Sequence, residues 1–328
     1  MTDLDYMRRA LELASQGAGL TSPGALVGAV IVKDDKVVGE GFYTYDEQLH
    51  AEIRALREAG SEARGSTVYT SLEPCSHYGR TGPCAQALID AQVARVVTAM
   101  PDPNPAVNGR GIAMLTEAGI ATNVGLLQSD AELLNEAFIT YKTQARPFGI
   151  LKLAMTLDGK IATAQGESKW ITCDAARAEV QAMRHRTDAV VTGSGTFLKD
   201  TPQLTDRTGL PRRRPLLRVV LDRRVRIGQA SGFLIFRDSL NALIHELYQR
   251  EIQSFVLECG PDLAFNALQS GIIDKIVAFV APKILGGRDT PAIGGDGFKP
   301  LANALPLHFT CKSVGPDLMI TAYVHRNH

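Results

Sequence analysis

Three candidate zinc ligands and one acidic residue have the spacing of a hydrolytic metal site. His50 and Glu52 flank a single alanine, and Cys75 and Cys84 follow farther along the chain. One imidazole and two thiolates occupy three positions around a tetrahedral Zn²⁺ ion and leave the fourth for water. Water bound to zinc ionises near neutral pH and becomes a hydroxide nucleophile. Glu52 would accept its proton and pass it to a leaving amine, so the pattern predicts hydrolytic deamination.

A structural zinc site is the alternative interpretation of the same residues. Such a site normally has four protein ligands, and it would leave Glu52 without a task. A lone buried cysteine commonly behaves as a small apolar residue. However, His-Ala-Glu at a helix start, followed by Pro74-Cys75 after a strand, matches the zinc-deaminase signature, although eight residues rather than two separate Cys75 from Cys84. The combination favours a catalytic site.

The elements that must position these residues alternate between helix and strand. Apolar spacing predicts a helix over 4–14 and a hairpin with strands 26–32 and 36–42. The next predicted elements are a helix at 50–59, a strand at 66–71, a helix from Cys84, a strand at 94–100, a helix at 111–118, a strand at 120–125 and a helix at 130–144. Alternation of this kind predicts a three-layer α/β/α domain. His50 is expected at the first position of its helix, because residues 50 and 52 point about 200° apart on a regular helix.

Arg146-Pro147 marks the predicted domain boundary, because helices rarely continue through a residue that precedes proline. The chain is thereby divided into residues 1–145 and residues 146–328. The predicted elements of the second part are strands at 149–155, 159–163, 189–192, 216–221, 254–258 and 274–280, a helix at 173–185 with Thr172 as its N-cap, and loop-rich stretches at 202–215 and 286–301. A second α/β domain is therefore expected.

Composition restricts the class of protein. The 328 residues include 35 Lys+Arg and 35 Asp+Glu, and this balance argues against a nucleic-acid or anionic-membrane partner. No apolar run approaches the roughly 20 residues that span a bilayer, and the acidic start is unlike a signal peptide. Five cysteines in so long a chain do not form a disulfide framework. These features predict a soluble, cytoplasmic protein with free thiols.

Residues 70–84, 94–97 and 102–105 closely resemble the deaminase half of the bifunctional riboflavin-biosynthesis deaminase–reductase family. The resemblance implies a cytidine-deaminase-like domain that hydrolyses the 2-amino group of a diaminopyrimidinone carrying a phosphoribosylamino substituent. It implies zinc binding by His50, Cys75 and Cys84, proton transfer by Glu52, and substrate contacts by His77, Asp102 and Asn104. For the last three, turn formation by polar loop residues is an equally good interpretation.

Residues from 146 to about 320 resemble the reductase half of the same family, whose α/β fold is similar to that of dihydrofolate reductase. The resemblance implies reduction of the ribosyl group to ribityl with NADPH. The implied contacts to the sugar-phosphate substrate are Ser168, Arg184, Leu204, Arg207 and Glu258. The implied contacts to NADPH are Ala154, Trp170, Thr196, Asp200, Arg223, Gly260, Pro261, Asp262, Leu263, Ala264, Phe265 and Asn266. Lys152 is a candidate to polarise the ribose carbonyl.

General chemistry supports some of these reductase assignments. Glu258 to Pro261 are predicted to end a strand and open a helix, where backbone N–H groups and the helix dipole can hold a phosphate. Arg184 and Arg207 have the planar fork that binds phosphate through two hydrogen bonds, although exposed arginines are more often simply solvated. Arg223 stands where the family often has a small hydroxyl residue, and it could pair with the 2′-phosphate of NADPH.

Two positions depart from the family pattern in the deaminase half. Gly24 replaces an asparagine, and Tyr43 replaces a histidine common in the family. A site built on hydrogen bonds loses specificity when a partner is missing. The alternative is therefore a reductase whose zinc-stabilised, deaminase-like domain turns over no substrate.

Two further alternatives belong to other classes of function. A nucleic-acid deaminase is disfavoured by the zero net charge, and binding to single-stranded RNA would reveal one. A zinc-dependent interaction protein would be indifferent to replacement of Glu52. Assembly into a homo-oligomer is left open.

Overall fold

The computed structural model describes residues 1–78, 82–105, 107–287 and 290–324. The chain divides into two compact units. The first contains Met1–Ala145 with Pro211–Arg214, and the second contains Arg146–Leu210 with Pro215–His328. Residues 79–81 of the family-like motif lie outside the described residues.

The first unit consists of a five-stranded sheet and six helices among the described residues. Its elements are α1 (Asp3–Ser15), β1 (Gly28–Lys33), β2 (Lys36–Phe42), α2 (Ala51–Ala59), β3 (Thr67–Thr70), α3 (Cys84–Asp90), β4 (Arg95–Thr98), α4 (Arg110–Glu117), β5 (Ala121–Val124), α5 (Gln128–Leu134) and α6 (Glu136–Gln144). The sheet order is β2-β1-β3-β4-β5. β1 is antiparallel to β2 and β3, whereas β3, β4 and β5 are parallel.

Both faces of this sheet are buried. Val30 of β1 packs in a cluster with residues of α1, α5 and α6, whereas the neighbouring Ile31 packs in a second cluster with residues of α2, α3 and α4. Successive side chains of a strand point to opposite faces, so helices cover the two sides of the sheet. The predicted three-layer α/β/α architecture is confirmed.

Small residues let α2 lie close to the sheet. A Cβ on Gly39 of β2 would lie 2.2 Å from the Ala55 carbonyl oxygen, and one on Gly41 would lie 2.4 Å from the Ala51 carbonyl oxygen. Both distances are well below van der Waals contact, so neither position has room for a side chain. The hairpin glycines thus set the position of the helix that carries Glu52.

The predicted helix at 130–144 is wrong in one respect, because it is broken at Asn135. The buried side chain of Asn135 accepts a hydrogen bond from the Leu26 N–H at 2.8 Å and donates to the Leu26 carbonyl at 3.0 Å. α5 therefore ends there, and α6 begins at the next residue. The amide of Asn135 holds the segment that leads into β1.

The second unit is built on an eight-stranded sheet. Its elements are β6 (Phe148–Thr156), α7 (Asp174–Arg186), β7 (Ala189–Gly193), α8 (Ser194–Asp200), β8 (Leu217–Leu221), β9 (Leu234–Phe236), α9 (Leu240–Gln249), β10 (Ser254–Leu257), α10 (Pro261–Gln269), β11 (Lys275–Ala281), β12 (His308–Val314) and β13 (Asp317–Tyr323). The sheet order is β12-β13-β11-β6-β10-β7-β8-β9. The strands from β11 to β9 are parallel, and β13 and β12 add an antiparallel edge.

Two predictions in the second unit are wrong. No strand forms at 159–163, where Lys160 makes a single bridge with Pro291 after a turn at Gly159. The N-cap of α7 is Cys173 rather than Thr172, because the Cys173 sulfur accepts the hydrogen bond from the Ala176 N–H. In the described part of the chain, no helix is both long and apolar enough to cross a membrane.

Candidate active sites

The deaminase residues meet where α2, α3 and the loop after β3 converge. His50 is the N-cap of α2, and Cys84 is the first residue of α3. The prediction that His50 occupies the first helical position is wrong by one residue, because His50 has an extended backbone and the helix begins at Ala51. Cys75 follows β3 in a loop, and its sulfur accepts a hydrogen bond from the Cys84 N–H at 3.2 Å. Local backbone geometry therefore brings together three residues that are distant in the sequence.

The three side chains fit a zinc ion. Their ligand atoms all lie within 4.8 Å of one another. The His50 Nδ1 is 3.1 Å from the Cys84 sulfur and 3.5 Å from the Cys75 sulfur. Zn–N and Zn–S bonds of about 2.1 and 2.3 Å in a tetrahedron place nitrogen and sulfur roughly 3.6 Å apart. Only small movements would be needed to hold the ion.

The electrostatics of the cluster suit both metal binding and proton transfer. Hydrogen bonds from the Cys84 thiol and the His50 ring lower the pKa of the Cys75 thiol to about 4, so this ligand is a thiolate at neutral pH. Glu52 lies in the first turn of α2 and is 3% exposed. Burial raises the pKa of its carboxyl to about 7. A carboxyl tuned in this way can both accept and release a proton at neutral pH.

A cavity of about 270 Å³ adjoins this cluster. It is lined by His50, Glu52 and Cys75 together with the three predicted substrate contacts His77, Asp102 and Asn104. The Asp102 carboxylate accepts a hydrogen bond from the Asn104 N–H at 2.8 Å, an Asx turn that orients both residues. Burial raises the pKa of Asp102. The structure brings the three residues to one cavity, and their contact with substrate stays a prediction.

Sequence reasoning missed Glu73, which holds one wall of the cavity. This buried carboxylate accepts backbone N–H groups of Asp102 at 3.0 Å, Gly109 at 2.9 Å and Gly111 at 2.9 Å. It therefore fixes the loop that carries Asp102 and the start of α4. A Cβ on Gly111 would lie only 1.9 Å from the Pro74 carbonyl oxygen, so the two segments are in direct contact. The position of Glu73 next to Pro74-Cys75 was the only sequence signal.

Sequence reasoning also missed two cavity residues on α6. Phe138 and Lys142 line the cavity, and the Lys142 ammonium group lies 5.6 Å from the centre of the Phe138 ring. Residues four apart share one face of a helix, so the i, i+4 spacing could have paired them. Lys142 also lowers the pKa of Asp102 through its charge, although burial has the larger effect. It brings a cation to a cavity that is also lined by the three carboxyl groups of Glu52, Glu73 and Asp102.

In the second unit, three charged residues meet at the carboxyl end of the parallel strands. Lys152 on β6 lies 3.5 Å from Glu258, which directly follows β10. Arg184 on α7 donates two hydrogen bonds, of 2.6 and 3.0 Å, to the same carboxylate. Burial alone would raise the pKa of Glu258, but the charges of Lys152 and Arg184 together lower it. Glu258 is therefore ionised, and the three residues lie where ligands of open parallel sheets bind.

The other predicted substrate contacts differ in exposure. Arg184 directs its fork at Glu258 and the Thr205 carbonyl rather than at solvent. Arg207 is exposed and donates to the side chains of Gln203 and Thr205. Leu204 is 4% exposed, so it would offer its backbone to a ligand. Ser168 is partly buried.

The predicted NADPH contacts lie around the starts of α8 and α10. A Cβ on Gly260 would lie 3.7 Å from the Thr196 hydroxyl, so these two segments are adjacent. Trp170 is 67% exposed, with the Arg177 guanidinium 4.5 Å above its ring, and it is a rim residue rather than a core residue. Ala264 and Phe265 are buried in α10, so only their backbone could face a cofactor.

The remaining cofactor candidates lie near these segments or follow them in sequence. Ala154 is on β6, Asp200 ends α8 and Arg223 is exposed just after β8. Pro261, Asp262, Leu263 and Asn266 belong to the first two turns of α10. Arg226 was missed: it donates to the Ser194 hydroxyl at the first position of α8, at 2.7 Å.

Comparison with known proteins identifies both units. Residues 1–100 match the family model of the cytidine and deoxycytidylate deaminase zinc-binding region, and residues 147–317 match the RibD C-terminal domain. Fold and sites thus define a zinc deaminase and a reductase joined in one chain. The chain is 42% identical, over an alignment of 361 residues, to the riboflavin biosynthesis protein RibD of Synechocystis, with 100% of this chain and 98% of that protein covered. It belongs to the RibD family.

Solved structures agree with this assignment. RibD of Acinetobacter baumannii is 38% identical and superposes with a TM-score of 0.90 over 99% of both chains. A protein of Thermotoga maritima is 32% identical, with a TM-score of 0.87 over 98% of both chains. It is described as a diaminohydroxyphosphoribosylaminopyrimidine deaminase/5-amino-6-(5-phosphoribosylamino)uracil reductase. The predicted fold, the two enzyme activities, and zinc and NADPH as cofactors are confirmed.

Proposed function

We propose that residues 1–145 deaminate 2,5-diamino-6-(5-phosphoribosylamino)pyrimidin-4-one and that residues 146–328 reduce the ribosyl group of the product to ribityl. The Thermotoga maritima protein is described as an enzyme of these two steps. The observation that carries the proposal is the convergence of His50, Cys75 and Cys84 with the buried Glu52 at one cavity. In the first step water replaces the 2-amino group, which leaves as ammonia. In the second step NADPH supplies a hydride and the medium a proton.

In the deaminase, zinc bound by the three ligands would lower the pKa of a water molecule and make it a nucleophile. The residues of the chain hold the substrate and move protons. Glu52, whose pKa burial raises to about 7, takes a proton on its carboxylate and releases it to the departing amine. His77, Asp102 and Asn104 are the proposed contacts of the pyrimidine. The Asx turn between Asp102 and Asn104 orients them before substrate arrives.

In the reductase, Lys152 is the proposed donor of a hydrogen bond to the ribose oxygen. Its ammonium group is held by Glu258, which Arg184 fixes through two further hydrogen bonds. Arg184 thus acts on the substrate through Glu258. Ser168, Leu204 and Arg207 remain proposed contacts of the sugar phosphate, and the exposed guanidinium of Arg207 suits a phosphate best.

The proposed NADPH site is the crevice at the carboxyl ends of the parallel strands. N–H groups at the start of α10, from Gly260 onward, would receive the pyrophosphate. Thr196 lies beside this turn. Arg223 and Arg226 both follow β8, and Arg226 contacts the start of α8. Either guanidinium could pair with the 2′-phosphate, which would favour NADPH over NADH.

We also propose that the enzyme acts in the cytoplasm. Cys75 and Cys84 must stay reduced to bind zinc, and reducing compartments keep thiols in that state. The neutral composition supports a small-molecule substrate rather than a nucleic acid.

The test follows ammonia release and NADPH consumption by zinc-loaded protein supplied with the diaminopyrimidinone substrate. Ammonia release followed by NADPH consumption would support both halves of the proposal. Absence of ammonia, with NADPH still consumed when the deaminated intermediate is supplied, would support the reductase-only alternative instead. Zinc content measured on the same sample separates loss of metal from loss of turnover.

A further inference from the structure

Gly24 and Tyr43 form one wall of the deaminase cavity. Both residues line it, together with the zinc ligand His50 and the proton carrier Glu52. The Tyr43 ring meets the His50 ring edge-on, with centroids 5.4 Å apart and planes at 80°. The aromatic ring is thus directly next to the zinc ligand His50, in the wall of the cavity.

The two residues are sterically coupled. A Cβ on Gly24 would lie 2.8 Å from Cε1 of Tyr43, 3.0 Å from the Thr21 carbonyl oxygen and 3.5 Å from the Tyr43 hydroxyl. The backbone of Gly24 does not adopt a positive φ, so space rather than conformation requires glycine here. The tyrosine ring occupies the volume that a side chain at position 24 would fill.

Neither backbone is free to move away. The Gly24 N–H donates to the Thr21 carbonyl at 2.7 Å, and the Tyr43 N–H donates to the Val27 carbonyl at 2.9 Å. The side chain of Asn135 holds the neighbouring Leu26 through both its N–H and its carbonyl. A larger residue at position 24 must therefore displace the Tyr43 ring rather than the chain.

We infer that Tyr43 is a specificity-determining residue of the deaminase and that Gly24 provides the space for its ring. This inference rests on the proposed deaminase substrate. The Tyr43 ring gives the cavity an aromatic wall, which suits a planar aminopyrimidine better than an aliphatic amine. An added methyl group at position 24 would displace the Tyr43 ring from this place and change the shape of the cavity that receives the pyrimidine.

The test is a double-mutant cycle with G24A, Y43F and Y43A, assayed by ammonia release from the diaminopyrimidinone. G24A is expected to raise KM about tenfold in the wild-type background and again in the Y43F background, because phenylalanine keeps Cε1 in place. In the Y43A background G24A should change KM less than twofold, because the obstructing ring is absent. Y43A alone should raise KM about tenfold, with little change in kcat.

Two measurements on the same samples serve as controls. Zinc content and the NADPH-consuming activity, which belongs to the other unit, should stay unchanged in all variants. An equal effect of G24A in all three backgrounds, or a wild-type KM in Y43A, would overturn the inference. Absence of ammonia from the unmodified protein would instead overturn the proposed substrate, and the assignment of Tyr43 with it.

Discussion

At the residue scale, Glu52 separates a catalytic zinc site from a structural one. It is buried beside the ligands, and burial raises its pKa to about 7. E52Q keeps the size and shape of the side chain but cannot carry a proton. Ammonia release should fall about 10²- to 10⁴-fold, the usual contribution of general acid–base catalysis. Zinc content and NADPH oxidation should be unaffected.

One result of the E52Q experiment would contradict the role given to Glu52. If E52Q released ammonia at the rate of the unmodified protein, Glu52 would not be the group that carries the proton. E58Q is a suitable control, because Glu58 is an exposed residue of the same helix. It should leave both activities unchanged.

Lys142 is the second prediction at this scale. The proposed substrate carries a phosphate, and Lys142 lines the cavity on an exposed position of α6. K142M should raise the KM for deamination about fivefold, since an exposed charge pair contributes up to about 1 kcal/mol. The difference between the two proteins should shrink as salt is added. K36M, at the exposed first residue of β2, is the matched control. A KM in K142M as low as in K36M would contradict this role.

The role of a residue can be predicted from the sequence where the chemistry allows only a few residue types. His50, Cys75, Cys84 and Glu52 were predicted because few residue types bind zinc and move protons. Lys142 was not, since a lysine has meaning only when the helix face that meets the cavity is known.

At the element scale, Glu73 joins the loop after β3 to the start of α4. Its two oxygens accept N–H groups on both sides, including those of Gly109 and Gly111. In E73Q one of these oxygens becomes an NH₂ group, which would face other donors. The expected cost is about 1–3 kcal/mol of unfolding free energy, with a raised KM for deamination because Asp102 loses its anchor. Thermal unfolding and the deaminase KM measure the two effects.

E62Q is the matched control for E73Q, because it makes the same substitution at an exposed glutamate. It should unfold as the unmodified protein does. If E73Q and E62Q had the same stability and the same KM, the hydrogen bonds of Glu73 would have no positioning role.

Strands whose residues form a clear apolar pattern were predicted well. An exposed strand and a helix break were missed, each for a physical reason. β1 and β6 are nearly continuous apolar runs, as is typical of strands buried on both faces. β12 is exposed at every position but Val314, so no alternation reveals it. The break between α5 and α6 depends on the bond from Asn135 to Leu26, a contact between residues 109 positions apart that no local pattern contains.

At the scale of the whole molecule, removal of zinc should affect one activity only. The three ligands lie in the first unit, and the Lys152–Glu258–Arg184 trio lies in the second. Treatment with a chelator should abolish ammonia release and lower the unfolding temperature of the first unit, because metal binding stabilises only the folded state. NADPH consumption with the deaminated intermediate should persist. Equal loss of both activities would show that the second unit depends on the metal, and Zn²⁺ added back should restore ammonia release.

The presence of two compact units on one polypeptide also fixes stoichiometry. Every ribosome that completes the chain delivers one deaminase and one reductase, whatever the level of expression. Changes in gene dosage therefore cannot alter the ratio of the two catalysts, and only their turnover numbers and affinities can. At steady state both units carry the same flux, so the concentration of the shared intermediate depends on how fast the reductase is relative to the deaminase. Substitutions that slow the second unit should thus appear first as an accumulated uracil compound rather than as a slower first step.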